Sequence, residues 1–214
     1  MQRFRITYAK YDDLCFTSNL DIHKIWERTL RRAKLPIAYS QGFHPQPKIQ
    51  LASPLPLGFS SEAEIVDIYF SEEINLNNAL EKLQTFSPSG LKILSMEEVS
   101  LEAPTLQKLV RSSVYEILVG EISTPQLLSA KINELTQKDQ IIRSRRGKTY
   151  DLRPLIEEIS LITTGELVKL ELKLSAKDGA TGRPEEVLSE LGIDPFSTRI
   201  HRQEIIIEQD FQRN

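Results

Sequence analysis

An α+β fold built from two successive βαββαβ units is what this 214-residue sequence predicts. Three observations carry that expectation. Apolar side chains alternate at period two in several short stretches, they recur at helical spacing in others, and both kinds of stretch follow the same order twice. Only the order of elements repeats, and no run of residues does. The duplication is therefore read from pattern and not from identity.

The chain opens on RFRITYAKYDD, where Phe4, Ile6 and Tyr8 share one face of a strand. Ser18 then starts a helix, with Asp21 three positions on in a capping-box pattern. Ile22, Ile25, Trp26, Thr29, Leu30 and Ala33 form its apolar face, and Pro36 stops it. Residues 38 to 58 carry four prolines and two glycines, a composition found nowhere else in the chain. The flanks IAYS and KIQLAS are expected to be extended, with GFHPQP as the turn. EAEIVDIYF, 62 to 70, becomes apolar on both faces and predicts a central strand. NNALEKLQTF follows as a helix capped by Asn75 or Asn77, and after SPSG the stretch LKILSMEEVSL returns as a strand.

The second half reads in the same order. SVYEILVG is a strand, and TPQLLSAKINELTQ a helix capped by Thr124 with Pro125 in its first turn. IIRSRRGKTYDLRP predicts a basic hairpin turning at Gly147. ISLITT and ELVKLELKLS are strands meeting at Gly165. RPEEVLSELG is a short helix begun by Pro184 and stopped by Gly192, and FSTRIHRQEIIIEQ is the closing strand. This is the pattern of two tandem ferredoxin-like domains, 1–105 and 106–214, with the boundary in LEAPTLQK.

Composition narrows the function classes. Forty per cent apolar and 27% charged residues is the balance of a globular chain with a packed core. No apolar run nears the roughly 18 residues of a membrane span, and the N-terminus has no signal-peptide core, so a cytoplasmic protein without membrane partners is expected. Cys15 is the only cysteine, which excludes an internal disulfide and a thiolate cluster. His23, His44 and His201 lie far apart and outside any metal-ligand spacing. Neither a metal nor a cofactor is expected. Nucleophile-elbow, P-loop, Gly-x-Gly-x-x-Gly and His-Glu-x-x-His patterns are all missing. The acid pairs Glu72–Glu73, Glu97–Glu98 and Glu157–Glu158 are neighbours in strand-like stretches, so their side chains point apart.

The net charge of −3 argues against a generic nucleic-acid binder, but the charge is unevenly placed. Between Ile22 and Ser60 six basic residues face one acid, a local +5; between Asp139 and Arg153 five face two, a local +3. Lys24, Arg28, Arg31 and Arg32 fall on the helix side opposite the apolar face, and acid partners for them are scarce. Solvent-facing cations are ordinary on an amphipathic helix. Here, however, they lead directly into Tyr39, Ser40, Gln41, Gly42, Phe43, His44 and Lys48. Cations beside exposed aromatic rings are what single-stranded RNA recognition uses, charge for the backbone and rings for the bases. Arg143, Arg145, Arg146 and Lys148 of the hairpin extend the expected anion-binding set, as does Arg183 before the last helix. A catalytic role for His44, with Tyr39 or Lys48, is the alternative; His23 and His201 read as structural.

Residues 18 to 68 resemble a bacterial family known as radical-SAM-linked proteins. The family pattern is a Ser-His-Leu-Asp opening, an Arg-rich helix ending in Arg-Arg-Ala-x-Leu-Pro, and then Tyr-Ser-x-Gly-Phe-x-Pro-x-Pro. Ser18, Leu20, Asp21, Arg31, Arg32, Ala33, Leu35, Pro36, Tyr39, Ser40, Gly42, Phe43, Pro45 and Pro47 match it in order. Asn19 stands where the family usually has histidine. In the second half the likeness rests on YDLRP and on GRPEEVL followed by LGID. The resemblance implies a radical SAM partner protein, and the single cysteine excludes the Cys-x-x-x-Cys-x-x-Cys cluster site from this chain. Tandem ferredoxin-like domains are also the architecture of CRISPR repeat-processing endoribonucleases, whose C-terminal loop is typically denser in glycine than GATGRP. The expectation is thus a non-catalytic accessory protein that holds RNA for a radical SAM partner. The alternatives are a metal-independent endoribonuclease and a protein-binding adaptor without RNA affinity.

Overall fold

Alternation along the first strand sets the architecture of the N-terminal unit. The computed structural model describes residues 1–120, 125–164 and 167–208. The chain divides into two compact units, Met1–Val110 with the residues from Ile207 on, and Arg111–Ile206. In the first, strand β1 (Gln2–Lys10) sends Phe4, Ile6 and Tyr8 into the core, none more than 2% exposed. After it come α1 (Asn19–Arg32), β2 (Ile49–Leu51), β3 (Ser60–Phe70), α2 (Leu76–Phe86) and β4 (Leu91–Val99). All pairings are antiparallel in the order β4-β1-β3-β2, the ferredoxin-like order. β3 is central, as its two apolar faces predict, and Asn75 is the residue that caps α2.

The core lies between this sheet and the two helices. Trp26 and Leu30 of α1 are fully buried with Leu83 of α2, and the Trp26 ring meets Tyr8 edge-on at 5.1 Å. Burying side chains of this size contributes about 1.5–3 kcal/mol each. The Ser18 hydroxyl accepts from the Asp21 N–H at 3.2 Å, and the Asp21 carboxylate accepts from the Ser18 N–H at 3.3 Å, completing the capping box. The far end of α1 is a Schellman turn, in which the Leu35 N–H reaches the Leu30 carbonyl and the Lys34 N–H that of Arg31. Lys34 takes the left-handed position usually given to glycine, at φ 54°. That conformation costs a side-chain-bearing residue roughly 1–2 kcal/mol, and burial of Leu30 and Leu35 offsets it.

One buried charge cluster escaped the pattern of the sequence. Arg3 and Arg5 alternate with Phe4 and Ile6 on β1, so their side chains leave the helix-covered face. Asp67 sits opposite Arg5 in the register with β3 and is wholly buried. Its carboxylate accepts from Arg3 at 2.6 and 3.0 Å and from Arg5 at 2.9 and 3.0 Å. The remaining Arg3 donors reach the carbonyls of Ala103 and Pro104, both at 2.8 Å, just before a single helical turn, α3 (Leu106–Leu109).

The second unit repeats the topology. It comprises β5 (Val110–Gly120), α4 (Pro125–Gln137), the hairpin β6 (Ile142–Arg145) and β7 (Lys148–Asp151), β8 (Ile156–Thr164), β9 (Leu167–Lys177), β10 (Ala180–Thr181), α5 (Pro184–Glu190) and β11 (Arg199–Ile207). The order β8-β9-β5-β11 again matches the ferredoxin-like sheet, with β10 folded back on the end of β9. The hairpin turns through Arg146 and Gly147, both at positive φ (48° and 76°), as a two-residue turn of this kind requires. β5 and β8 each begin three residues before the alternating stretches that predict them. The cap at Thr124 and the junction at Gly165 lie outside the described residues. Among the described residues, no helix is long and apolar enough to cross a membrane.

Replacing Asp67 with alanine leaves two buried guanidinium groups without their anion. A loss of about 3–5 kcal/mol in unfolding free energy is expected, read by chemical denaturation. A loss under 1 kcal/mol would show that the cluster is not what holds β1 to β3.

Candidate nucleic-acid interface

Helical geometry places the first basic group. Lys24, Arg28, Arg31 and Arg32 are all exposed, spaced so that they follow one side of α1 opposite Trp26 and Leu30. Arg28, Arg31 and Arg32 line a shallow depression. Their charges are not equally available. Arg31 pairs with Glu27 one turn back at 2.8 Å and donates to the Tyr39 hydroxyl at 3.1 Å. That hydroxyl, followed by the Glu27 carboxylate, raises the pKa of Arg31 above its ordinary value. The expectation that this face lacks acid partners is therefore corrected at Arg31, because Glu27 stands at the i−4 position. Lys24, Arg28 and Arg32 make no ion pair among the described residues.

The proline-rich segment forms a narrow-necked loop on β3. Ala38 donates its N–H to the Tyr69 carbonyl at 2.8 Å, and Tyr69 donates to the Lys48 carbonyl at 3.1 Å. Lys48 closes the neck by donating to the Ala38 carbonyl. Further out, the Ser40 N–H bonds the Gln46 carbonyl and the Gln46 N–H bonds the Ser40 hydroxyl. Ser40 therefore closes the loop, with its hydroxyl accepting from the Gln46 N–H. Beyond it Gln41, Gly42, Phe43 and His44 are all exposed, and the Phe43 ring has no cover at all. Gly42 holds φ 124° with open space around it, so backbone conformation and not crowding selects glycine there.

Tyr39 is the hinge between helix and loop. Its ring packs against the core cluster while its hydroxyl receives Arg31. Lys48 points elsewhere: its ammonium lies 5.9 Å from the centre of the Tyr69 ring, which Arg3 also approaches at 5.5 Å. Lys48 thus does not extend the helix face, a second correction to the expectation. His44 has no hydrogen-bond partner among the described residues, and neither Tyr39 nor Lys48 is directed at it by any of these contacts. The buried Cys15 thiol is pushed up in pKa by desolvation, which disfavours the thiolate needed for nucleophilic chemistry.

The second basic group belongs to the other unit. Arg143 pairs with Glu190 at 2.9 Å and donates to the Glu186 carbonyl at 3.0 Å, while Arg145 lies 3.7 Å from the Glu186 carboxylate. Tyr150 donates its hydroxyl to that same carboxylate. Burial raises the pKa of Glu186 although both arginines oppose the shift. The positive charge of Arg143 and Arg145 is thus largely answered by α5, which the local charge count conceals. Arg146 and Lys148 stay exposed at the hairpin tip, and Arg183 is half-buried just before α5.

Paired ferredoxin-like units, with cations and exposed rings on a helix-and-loop surface, define an α+β protein carrying a candidate anion-binding face. The chain belongs to the family described as an uncharacterized protein conserved in bacteria (DUF2344), whose pattern matches residues 3–184. No curated protein matches the sequence. Among solved structures it is similar to one described as the crystal structure of a candidate glycine cleavage system transcriptional repressor. The two share 11% identity over 97% of this chain and 98% of the other, with a TM-score of 0.26.

His23, half-buried on α1, has its pKa lowered by burial. The unfolded chain then binds a proton more readily than the folded one, so its effect on stability is nil above the ordinary pKa of about 6.5. Stability should fall as the pH drops from there towards the lowered folded value, then level off. Denaturation midpoints between pH 7.5 and pH 5 should show this slope in the wild type and a shallower one in His23→Gln. Equal slopes would remove His23 as its source.

Proposed function

We propose that this protein is a non-catalytic accessory factor that holds single-stranded RNA for a radical SAM partner protein. The observation that carries the reading is the loop tip: Phe43 and His44 stand exposed to solvent, tied through Tyr39 to a helix face bearing Lys24, Arg28 and Arg32, none of them ion-paired among the described residues. Exposing a phenylalanine ring completely on a loop whose backbone is held by prolines and cross-hydrogen bonds favours a stacking role, because less backbone freedom is lost when a base arrives. Arg28, Arg32 and Lys24 would neutralise phosphates, and Phe43 with His44 would stack on bases. Arg31 would contribute charge while holding Tyr39.

The partner is inferred from the resemblance of residues 18 to 68 to radical-SAM-linked proteins, domains that occur fused to or encoded beside radical SAM proteins. Ribonuclease chemistry at His44 has no comparable support, since no residue among those described orients the imidazole as a base.

RNA affinity measured by fluorescence anisotropy across a salt series tests the reading. Removing three phosphate contacts in a Lys24/Arg28/Arg32→Ala variant should flatten the log–log salt slope by about 2. Phe43→Ala should weaken binding by about 1–3 kcal/mol and leave that slope unchanged. No binding at low salt, or equal slopes, would defeat the proposal and favour a protein-binding adaptor.

A further inference from the structure

The β6–β7 hairpin carries a charge pattern that its own fold does not favour. Its register sets Arg145 directly opposite Lys148, and like charges facing each other across two strands repel. Arg146 holds φ 48° in the two-residue turn, where asparagine, aspartate or glycine is the usual occupant. Glu186 answers Arg145 at 3.7 Å. Arg146 and Lys148 are exposed and make neither an ion pair nor a hydrogen bond among the described residues. Local choices that work against the fold without a return from it mark functional positions. The ribbon is nevertheless held in place. Arg143 pairs with Glu190 and Tyr150 donates to Glu186, so one face rests on α5. On the other face the Ser144 and Thr149 hydroxyls lie 3.2 Å apart, both residues exposed.

What the tip offers selects its ligand. One guanidinium, one ammonium and two hydroxyls suit phosphate and ribose oxygens. Tyr150 is the hairpin's one aromatic residue and its hydroxyl is engaged by Glu186, so no free ring is there to stack on an unpaired base. The hairpin has no side-chain amide to read a base edge either. Double-helical RNA presents the matching surface: its bases are stacked inside, and its phosphates and 2′-hydroxyls line the outside. We infer that Arg146 and Lys148, with Ser144 and Thr149 beside them, bind the backbone of a paired RNA segment. The inference rests on the reading of RNA as the ligand and refines it. The substrate then carries a duplex part for the hairpin and an unpaired part for Phe43 and His44. The two parts are recognised by separate units, so either can fail alone.

Fluorescence anisotropy with the full chain tests this on two RNAs of equal length, an unpaired oligoribonucleotide and a blunt duplex. An Arg146→Asn/Lys148→Gln variant should lose roughly tenfold in duplex affinity at low salt, and its log–log salt slope on duplex should flatten by about 2. Its affinity for the unpaired RNA should match that of the wild type. Phe43→Ala should show the opposite division. The hairpin variant should unfold at the same midpoint as the wild type or a higher one. Arg146→Asn suits the turn, and Lys148→Gln removes the like charge facing Arg145. A lower midpoint would make the two cations structural and overturn the inference. So would failure of the wild type to bind duplex at low salt, equal duplex affinity in variant and wild type, or equal losses on both RNAs. Duplex binding that depends on the tip, alongside no binding of the unpaired RNA, would sustain this inference while defeating the single-strand reading.

Discussion

The carboxylate of Asp67 is the point on which the first unit turns. It is buried between two guanidinium groups, so each pair gains from a poorly screened attraction while all three groups are removed from water. One acid against two bases leaves a positive excess. The carbonyls of Ala103 and Pro104 take the remaining Arg3 donors and so tie the end of the unit to its first strand. The same guanidinium lies over the Tyr69 ring, two residues along β3. Tyr69 in turn anchors both ends of the neck from which the exposed loop projects. A chain of contacts thus leads from a buried ion cluster to Phe43 and His44 without passing through the hydrophobic core.

Charge in this protein divides into spent and unspent. Glu27 and Tyr39 occupy Arg31, and the acids of α5 occupy Arg143 and Arg145. Those side chains stabilise local geometry, and the solvent-exposed pairs among them contribute little to overall stability. Lys24, Arg28 and Arg32 make no ion pair among the described residues, and their field extends into solvent where an anion can meet it. A count of lysines and arginines along the chain merges the two groups. Only the partners distinguish a cation that braces a helix from one that can recruit a ligand.

What the sequence determined by itself is whatever depends on near neighbours. Period-two and helical spacing specified the order of strands and helices, the Ser18–Asp21 cap, the stop before Pro36, the Arg146–Gly147 turn and the exposure of the 41–44 tip, because each is decided within a few residues. Tertiary structure alone decided which charges meet. Asp67 reaches Arg3 across 64 residues and Arg143 reaches Glu186 across 43, and Lys48 lies over Tyr69 where the sequence places it beside α1. Those partners follow from strand register and from the side on which a helix packs. Both are set by burial of the whole unit, since a strand slipped by one residue would turn every side chain to the opposite face.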